Sequence, residues 1–183
     1  MRADAQRNRD RIVEVAREVF REQGYDASLD DIARRAEVGP GTLYRHFPRR
    51  ENLIDAVMQR WVDGVDAAAD AAVARPGEAR ERLLAWFEDY VSLISMHKGG
   101  AARLTAAMGD DSSPIAPKCK VLVGAMGRVL DTQRTALRAG VSDVSVARLV
   151  GGVAAVADTA DLRVDDMRPL LAVVVDGVLT PNA

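Results

Sequence analysis

The chain has very few of the residues from which most catalytic and metal-binding sites are built. Its 183 residues include one cysteine and two histidines. The single cysteine, Cys119, excludes an intramolecular disulfide and is typical of a protein from the reducing cytoplasm. His46, His97 and Cys119 do not have the spacing of metal ligands, and no phosphate-binding glycine loop is present. We therefore predict no metal, no cofactor and no enzymatic activity.

Long apolar runs and strand patterns are also missing. Although 48% of the residues are hydrophobic, no uninterrupted run reaches the roughly 20 residues that span a bilayer. The first residues lack the apolar segment of a secretory signal. Apolar residues recur at helical spacing and nowhere alternate as in a strand, which predicts an all-α, cytoplasmic protein without a membrane partner.

The charge is close to balanced but unevenly placed. The net charge of −2 is the sum of about +2 over residues 1–50 and about −4 over the remainder. Such an asymmetry is typical of a nucleic-acid-binding N-terminal region joined to an acidic body. The arginines nearest the segment described next are Arg7, Arg9, Arg11, Arg49 and Arg50.

Residues 38–47 predict a short helix with two different faces. At 100° per residue, Leu43 and Phe47 fall on one side, where they can dock on a core. The opposite side carries Gly41 and Arg45 at its centre, Thr42 and His46 on one edge and Tyr44 on the other. Donors at the edges suit phosphates, and the central positions face base edges, so this surface fits a groove of DNA. The alternative is an ordinary solvated helix face.

The preceding residues predict a second helix that supports the first. Ser28 is a suitable N-cap, and Asp31 three residues later resembles the partner in a capping box. The apolar positions of this helix are Leu29, Ile32, Ala33 and Ala36. A tight turn at residues 37–39 follows, and two short helices joined in this way form a helix-turn-helix.

Residues 9–58 resemble the DNA-binding domain of the tetracycline-repressor (TetR) family. The resemblance is carried by Ile12, Ala16, Phe20, Gly24-Tyr25, Ile32-Ala33, Ala36-Glu37-Val38, the run from Gly41 to Phe47, Arg50, Leu53 and Ile54. The chain departs from the family at Gly39 and Pro40, where a serine or alanine and then a polar residue are common. Pro40 offers only an apolar contact, for example to a thymine methyl group, which leaves more of the base discrimination to Arg45 and Gly41.

This resemblance implies an N-terminal helix-turn-helix domain of three helices, residues 1–50, and a helical effector-binding and dimerisation domain, residues 51–183. The residues expected to contact DNA are Ser28, Pro40, Gly41, Thr42, Tyr44, Arg45, His46, Arg49 and Arg50. Arg49 and Arg50 adjoin the positive N-terminus of a long helix, where a phosphate would bind. An arm formed by Arg2 and Arg7 is less consistent with the pattern than a solvated chain end.

Periodicity places helices at about residues 7–23, 49–73, 78–97, 100–108, 117–139, 144–160 and 165–179. In proteins similar to this one, an effector enters between the helices of the body. Candidate effector contacts are Trp86, Phe87, Tyr90, Met108 and Met126, with Met96 beside them. The same apolar stripe also fits an ordinary helical core, and His97 fits a surface position at a helix end.

The last two helices are predicted to join two subunits. Their candidate interface residues are Leu149, Val153, Val156, Leu171, Val174 and Val178, although burial within one subunit is the alternative. Taken with these features, the resemblance to the TetR family implies a homodimeric repressor that binds double-stranded DNA at a palindromic operator and is released by a small, mostly apolar effector. A DNA-binding activator or architectural protein without an effector is the alternative.

Overall fold

The structure, a computed structural model, describes residues 2–24, 26–95 and 99–181. Within these ranges it contains nine α-helices and no strand. They are α1 (Arg2–Gln23), α2 (Leu29–Arg35), α3 (Pro40–His46), α4 (Arg50–Ala74), α5 (Ala79–Ile94), α6 (Gly100–Ala107), α7 (Ala116–Asp131), α8 (Asp143–Ala160) and α9 (Val164–Val178). The prediction of an all-α fold is confirmed. None of the helices in these ranges is both long enough and apolar enough to cross a bilayer.

The chain divides into two compact units, residues 1–63 and 64–183. The boundary falls inside α4, whereas the sequence analysis placed it at the start of that helix. The reason is that Leu53 and Val57, from the first turns of α4, belong to the core of the N-terminal unit. The first half of α4 is therefore an element of the N-terminal unit.

The core of the N-terminal unit is built from the apolar faces of four helices. Its members include Ile12, Ala16 and Phe20 of α1, Ile32 and Ala33 of α2, Leu43 of α3 with Phe47 at its end, and Leu53 of α4. Ile12, Ala16, Ile32 and Leu43 are completely buried. These positions follow helical spacing, so the sequence pattern predicted them correctly.

The residues at their N-termini define where the two short helices α2 and α3 begin. The hydroxyl of Ser28 accepts a hydrogen bond from the backbone N–H of Asp31, 3.4 Å away, and so caps α2. Gly39 occupies the N-cap position of α3, and Pro40 begins the helix, where a missing N–H costs nothing. Helix α1 begins at Arg2, earlier than periodicity predicted, and Arg7 pairs with Asp4 in this first segment.

The prediction of a helix over residues 117–139 is wrong for its last third. Helix α7 ends at Asp131, and a short 3-10 turn at Arg134–Ala136 follows. Beyond it, the N–H of Arg138 donates to the carbonyl of Val178, and the N–H of Thr180 donates to that of Ala136, both at 2.9 Å. The backbone of residues 136–138 is therefore held by the end of α9 instead of by its own helix.

The core of the C-terminal unit lies among α5, α6, α7, α8 and α9. Helices α6 and α8 approach each other especially closely at the buried Gly151. A Cβ atom added there would lie 2.1 Å from the hydroxyl oxygen of Thr105. The absent side chain of Gly151 thus permits this helix contact.

Candidate nucleic-acid interface

Helix α3 presents the two faces that its sequence predicted. Leu43 is fully buried and Phe47 is 2% exposed, so the apolar side is anchored in the N-terminal core. Gly41, Tyr44 and Arg45 are exposed. Tyr44 has 46% of its surface accessible, which is high for an aromatic residue. The outer face therefore displays a hydroxyl and a guanidinium on a rigidly seated helix.

Arg45 folds back along the outer face towards the start of α3. Its Nη2 atom donates to the hydroxyl of Thr42 at 3.1 Å, and its Nε approaches the carbonyl of Gly41 at 3.5 Å. These contacts place the guanidinium over the first turn of α3, whose first residue, Pro40, is also exposed. Because a guanidinium has five donors, Arg45 retains donors for a base edge.

The turn before α3 is held by α1. Glu37 adopts a left-handed conformation with φ of 53°, and its N–H donates to the carbonyl of Arg34 at 3.1 Å. Arg11 of α1 donates to the backbone carbonyl of Glu37 at 3.2 Å and to its carboxylate at 3.3 Å. This bond to a main-chain atom fixes the geometry between the two short helices, although the surface ion pair itself contributes little.

Three charged residues of α2, Asp31, Arg34 and Arg35, are paired within the N-terminal unit. Asp31 accepts hydrogen bonds from Arg34 and Arg35, and Arg35 also donates to Glu22 of α1 at 2.8 Å. The hydrogen bond from Arg34 is the main reason why the pKa of Asp31 lies below its usual value. Hydrogen bonding to Glu22 raises the pKa of Arg35. Asp31 therefore binds two arginines through its carboxylate and the N-cap residue Ser28 through its backbone N–H.

The two arginines before and at the start of α4 differ in their surroundings. Arg50 is half-buried and donates through Nη1 to the carbonyl of Ala27 at 2.6 Å, which ties α4 to the loop before α2. The Arg49 side chain is exposed, while its backbone N–H donates to the Oδ1 atom of Asn52 at 3.2 Å. Arg49 is therefore the more accessible of the two predicted phosphate contacts.

One cation that the sequence analysis left out of the site lies beside α3. The guanidinium of Arg9, on α1, lies over the ring of Phe47, 5.4 Å from the ring centroid. Arg9 is exposed, so its charge faces solvent at the C-terminal end of α3. Its position among the arginines near the helix-turn-helix was visible in the sequence, but the contact with Phe47 requires the fold.

Comparisons with known proteins agree with this geometry. The family model described as "Bacterial regulatory proteins, tetR family" matches residues 12–57. The solved structure of a TetR transcription regulatory protein from Mycobacterium vanbaalenii is 31% identical, with 98% of this chain and 99% of that chain covered and a TM-score of 0.67. A TetR transcriptional regulator from Streptomyces coelicolor is 30% identical, with coverage of 94% and 99% and a TM-score of 0.70. The chain belongs to the TetR family.

A curated relative supports the same assignment for the N-terminal unit alone. An HTH-type transcriptional regulator of Staphylococcus aureus is 45% identical over 64 residues, which are 34% of this chain and 35% of that protein. The match therefore spans about a third of the relative's length. These relatives are transcriptional regulators, which confirms the prediction that this TetR-family chain is a DNA-binding regulator and not an enzyme.

The five predicted effector contacts lie in the C-terminal unit of this TetR-family protein, and three of them, Trp86, Tyr90 and Met126, are linked by direct contacts. Trp86, Phe87, Tyr90, Met108 and Met126 are all fully buried. The rings of Trp86 and Tyr90 meet edge to face, with centroids 5.8 Å apart. The indole Nε1 of Trp86 donates to the sulfur of Met126 at 3.3 Å. Met96 and His97 lie outside the described residues.

A cavity of about 210 Å³ opens elsewhere in the C-terminal unit, between α5 and the first turns of α9. Its lining includes Glu88, Ser92, Asp165, Met167 and Arg168. None of the five predicted effector contacts lines this cavity. An ion pair between Arg168 and Glu88, with 2.6 Å between Nη1 and Oε1, bridges it.

The predicted dimerisation residues fall into two groups. Leu149 and Val156 of α8 are each 55% exposed, and Val153 and Val174 are half-buried. Leu171 and Val178 are only 1% and 4% exposed, so the structure places these two in the core of the protomer. Helix α9 instead exposes Leu170 and Val173, which are 40% and 71% accessible. The outward face of α9 is therefore offset by one residue from the predicted one.

Proposed function

We propose that this TetR-family regulator is a repressor that binds a palindromic operator as a homodimer and is released by a small, mostly apolar effector. Such a regulator acts on the chromosome and therefore in the cytoplasm. The observation that carries the proposal is an exposed apolar surface on α8 and α9, in a chain whose separate N-terminal unit carries α3, which we call the recognition helix. We call this surface the α8–α9 patch and define it by Leu149, Val153, Val156, Leu170 and Val173.

The α8–α9 patch fits a second copy of the chain. Leu149 and Val156 are seven residues apart, so they share one face of α8, and Leu170 and Val173 share one face of α9. The two helices pack against each other, which makes their outward faces neighbours. A twofold axis through such a pair of helices buries the same patch on both subunits. It also gives the assembly two recognition helices, which a palindrome with two half-sites requires.

Base and phosphate contacts divide among the predicted site residues. Tyr44, His46, Arg49 and Ser28 supply donors suited to phosphates. Arg45, with Gly41 and Pro40, faces the base edges, because these residues occupy the outer side of α3 and its first turn. Thr42 holds Arg45 in place. Arg50 contributes mainly by fixing the start of α4 against Ala27.

Effector release requires that a change in the body reach the recognition helix. Helix α4 begins beside the DNA-binding residues and continues past the boundary between the two units. We infer that an effector acts through this continuous helix. A coupling of about 1–3 kcal/mol between effector and operator is sufficient for a useful response.

Three measurements on the full chain test the proposal. Sedimentation equilibrium is expected to give twice the protomer mass of 19.8 kDa. Selection from a random duplex pool is expected to yield inverted repeats with half-sites about one helical turn apart, bound with a strong salt dependence. A metabolite extract is expected to release the selected duplex.

Each measurement has an outcome that contradicts part of the proposal. A monomer that binds no duplex at low salt overturns it completely. Dimeric operator binding that no extract affects favours the activator or architectural alternative. A reporter gene behind the selected operator separates repression from activation.

A further inference from the structure

Tyr90 carries a buried hydroxyl group that has no hydrogen-bond partner. The side chain lies on α5 and is fully buried, and its hydroxyl oxygen is paired with no other atom of the described residues. Buried polar groups are nearly always paired, because an unpaired one loses its bonds to water without compensation. A phenylalanine would fill almost the same space without this cost. The hydroxyl therefore calls for an explanation other than packing.

The neighbouring donor is only weakly satisfied. Trp86, one helical turn before Tyr90, directs its indole N–H at the sulfur of Met126, and a thioether is a poor acceptor. The two rings are in edge-to-face contact, with an angle of 71° between their planes. The interior of the C-terminal unit thus holds an O–H and an N–H donor on adjacent aromatic rings, without a strong acceptor for either.

The Tyr90 hydroxyl lies in the apolar interior of the C-terminal unit. Burial raises the pKa of Tyr90 well above its usual value, and the nearby thiol of Cys119 adds to this effect. Burial is also the main reason why the pKa of Cys119 is raised, and this thiol donates to the carbonyl of Leu104 at 3.5 Å. Among the described residues, no charged side chain is buried. The hydroxyl is therefore a neutral donor, and a charged ligand beside it would lack a buried counter-ion.

We propose that the Tyr90 hydroxyl is the polar anchor of the effector site and that the effector is an uncharged, mostly apolar molecule with a carbonyl oxygen that accepts its hydrogen bond. The inference rests on the proposed function, since it assumes that an effector enters the body between α5, α6 and α7. In this proposal the flexible side chain of Met126 makes room by changing rotamer, which breaks the contact between its thioether and the indole N–H of Trp86. The N–H of Trp86 then becomes available to the ligand.

The ligand-free protein provides a first test. The variant Tyr90→Phe removes only the unpaired hydroxyl, so its urea midpoint is expected to be equal to or higher than that of the wild-type protein. Tyr44→Phe, at an exposed position in the other unit, is the matched control. A lower midpoint for Tyr90→Phe alone means that the hydroxyl already has a structural partner, and this result overturns the proposal.

A second test uses matched ligands. The probes are a series of uncharged alkyl phenyl ketones, each paired with the alkylbenzene in which a methylene replaces the carbonyl, and with a phenylalkanoate of similar length. Binding is followed by the fluorescence of Trp86 in a Trp61→Phe background, in which Trp86 is the sole tryptophan. The best ketone is expected to bind about tenfold more tightly than its hydrocarbon.

The Tyr90→Phe variant identifies the source of this preference. We expect the variant to bind the ketone and the hydrocarbon equally, with the affinity for the hydrocarbon unchanged. A ketone preference that persists in the variant, tighter binding of the carboxylate, or the failure of every ketone to bind overturns the inference. If the wild-type dimer still binds its operator and responds to a metabolite extract, the proposed function stands while this inference fails.

Discussion

The guanidinium of Arg45 is bound to the hydroxyl of Thr42, 3.1 Å away on the same face of the recognition helix. This contact holds the side chain in position before DNA arrives, which reduces the entropy lost on binding. We expect Arg45→Ala to weaken the preference at one base pair of each half-site by about 1–3 kcal/mol. The preference is measured by sequencing duplexes selected from a random pool.

Arg45→Lys is the matched control, because lysine keeps the charge and lacks the planar fork. It is expected to retain salt-dependent binding while losing most of the base preference. Thr42→Val, which removes the contact that holds Arg45, is expected to have an intermediate effect. If the selected sequences are identical for the wild-type protein and Arg45→Ala, Arg45 takes no part in base recognition.

Tyr44 is expected to contact phosphate and to contribute affinity without sequence preference. Its hydroxyl lies at the edge of the outer face, and the residue is 46% exposed. The substitution Tyr44→Phe should weaken binding to every duplex by a similar factor, corresponding to about 0.5–1.5 kcal/mol. Fluorescence anisotropy with an operator and with unrelated DNA measures this. A loss confined to one operator position would assign Tyr44 to base recognition instead.

Arg9 is expected to add a second phosphate contact near the same helix. Its guanidinium is held over Phe47, so its charge lies at the C-terminal end of α3. We expect Arg9→Ala to weaken binding to all duplexes and to reduce the salt dependence by about one released counter-ion. Arg21→Ala is the control, since Arg21 is exposed on the same helix about 18 Å farther along its axis. Equal effects of the two substitutions on DNA affinity would show that the net charge of the protein determines binding and that the position of Arg9 does not.

The α8–α9 patch predicts how a single charge affects assembly. Val173 is 71% exposed in the protomer, so Val173→Glu should change the stability of an isolated subunit by no more than about 0.5 kcal/mol. In a twofold dimer the substitution places two carboxylates in one apolar interface. Sedimentation equilibrium should then show monomers, with operator affinity reduced on the order of a hundredfold as the second half-site is lost.

Val73→Glu tests whether this effect is specific to the patch. Val73 is also an exposed apolar residue, at 38%, but it lies on α4. We expect this variant to remain dimeric. If the Val173→Glu and Leu149→Glu variants both remain dimeric, α8 and α9 do not form the dimer interface.

The recognition helix could be predicted from the sequence because its faces follow from local periodicity. Leu43 and Phe47 are buried and Arg45 is exposed, as a step of 100° per residue requires. The end of α7 could not be predicted from the sequence. Leu137 continues the apolar spacing of α7, although the helix already ends at Asp131. Leu137 is buried through a bridge to Leu179, and a contact over such a sequence distance leaves no local signal.

Helix α9 shows a different limit of sequence analysis. Residues 170–175 are all apolar, so several choices of inward face fit the pattern equally well. Packing decides among them and buries Leu171 and Val175 while exposing Val173. The candidate effector site in the C-terminal unit could likewise be predicted only in part. Burial of Tyr90 was predictable from its spacing, whereas the unpaired state of its hydroxyl depends on the neighbouring helices.

The contact between Gly151 and Thr105 predicts a strong effect of one methyl group. A Cβ atom at position 151 would lie 2.1 Å from the hydroxyl oxygen of Thr105 and 3.2 Å from its Cβ, so the hydroxyl would have to rotate away and the two helices would still have to separate slightly. We expect Gly151→Ala to reduce the free energy of unfolding by about 1–3 kcal/mol in urea titrations, despite the better helix propensity of alanine. Gly124→Ala on α7, where no atom of the described residues outside the helix's own backbone lies within 4 Å of the added atom, should instead raise it by about 0.5–1 kcal/mol. Adding Thr105→Ala to Gly151→Ala should restore most of the loss, because it removes the clashing oxygen, which is itself buried without a partner among the described residues. If Gly151→Ala proves as stable as Gly124→Ala, α6 and α8 are free to separate, and their close contact is not a constraint on the fold.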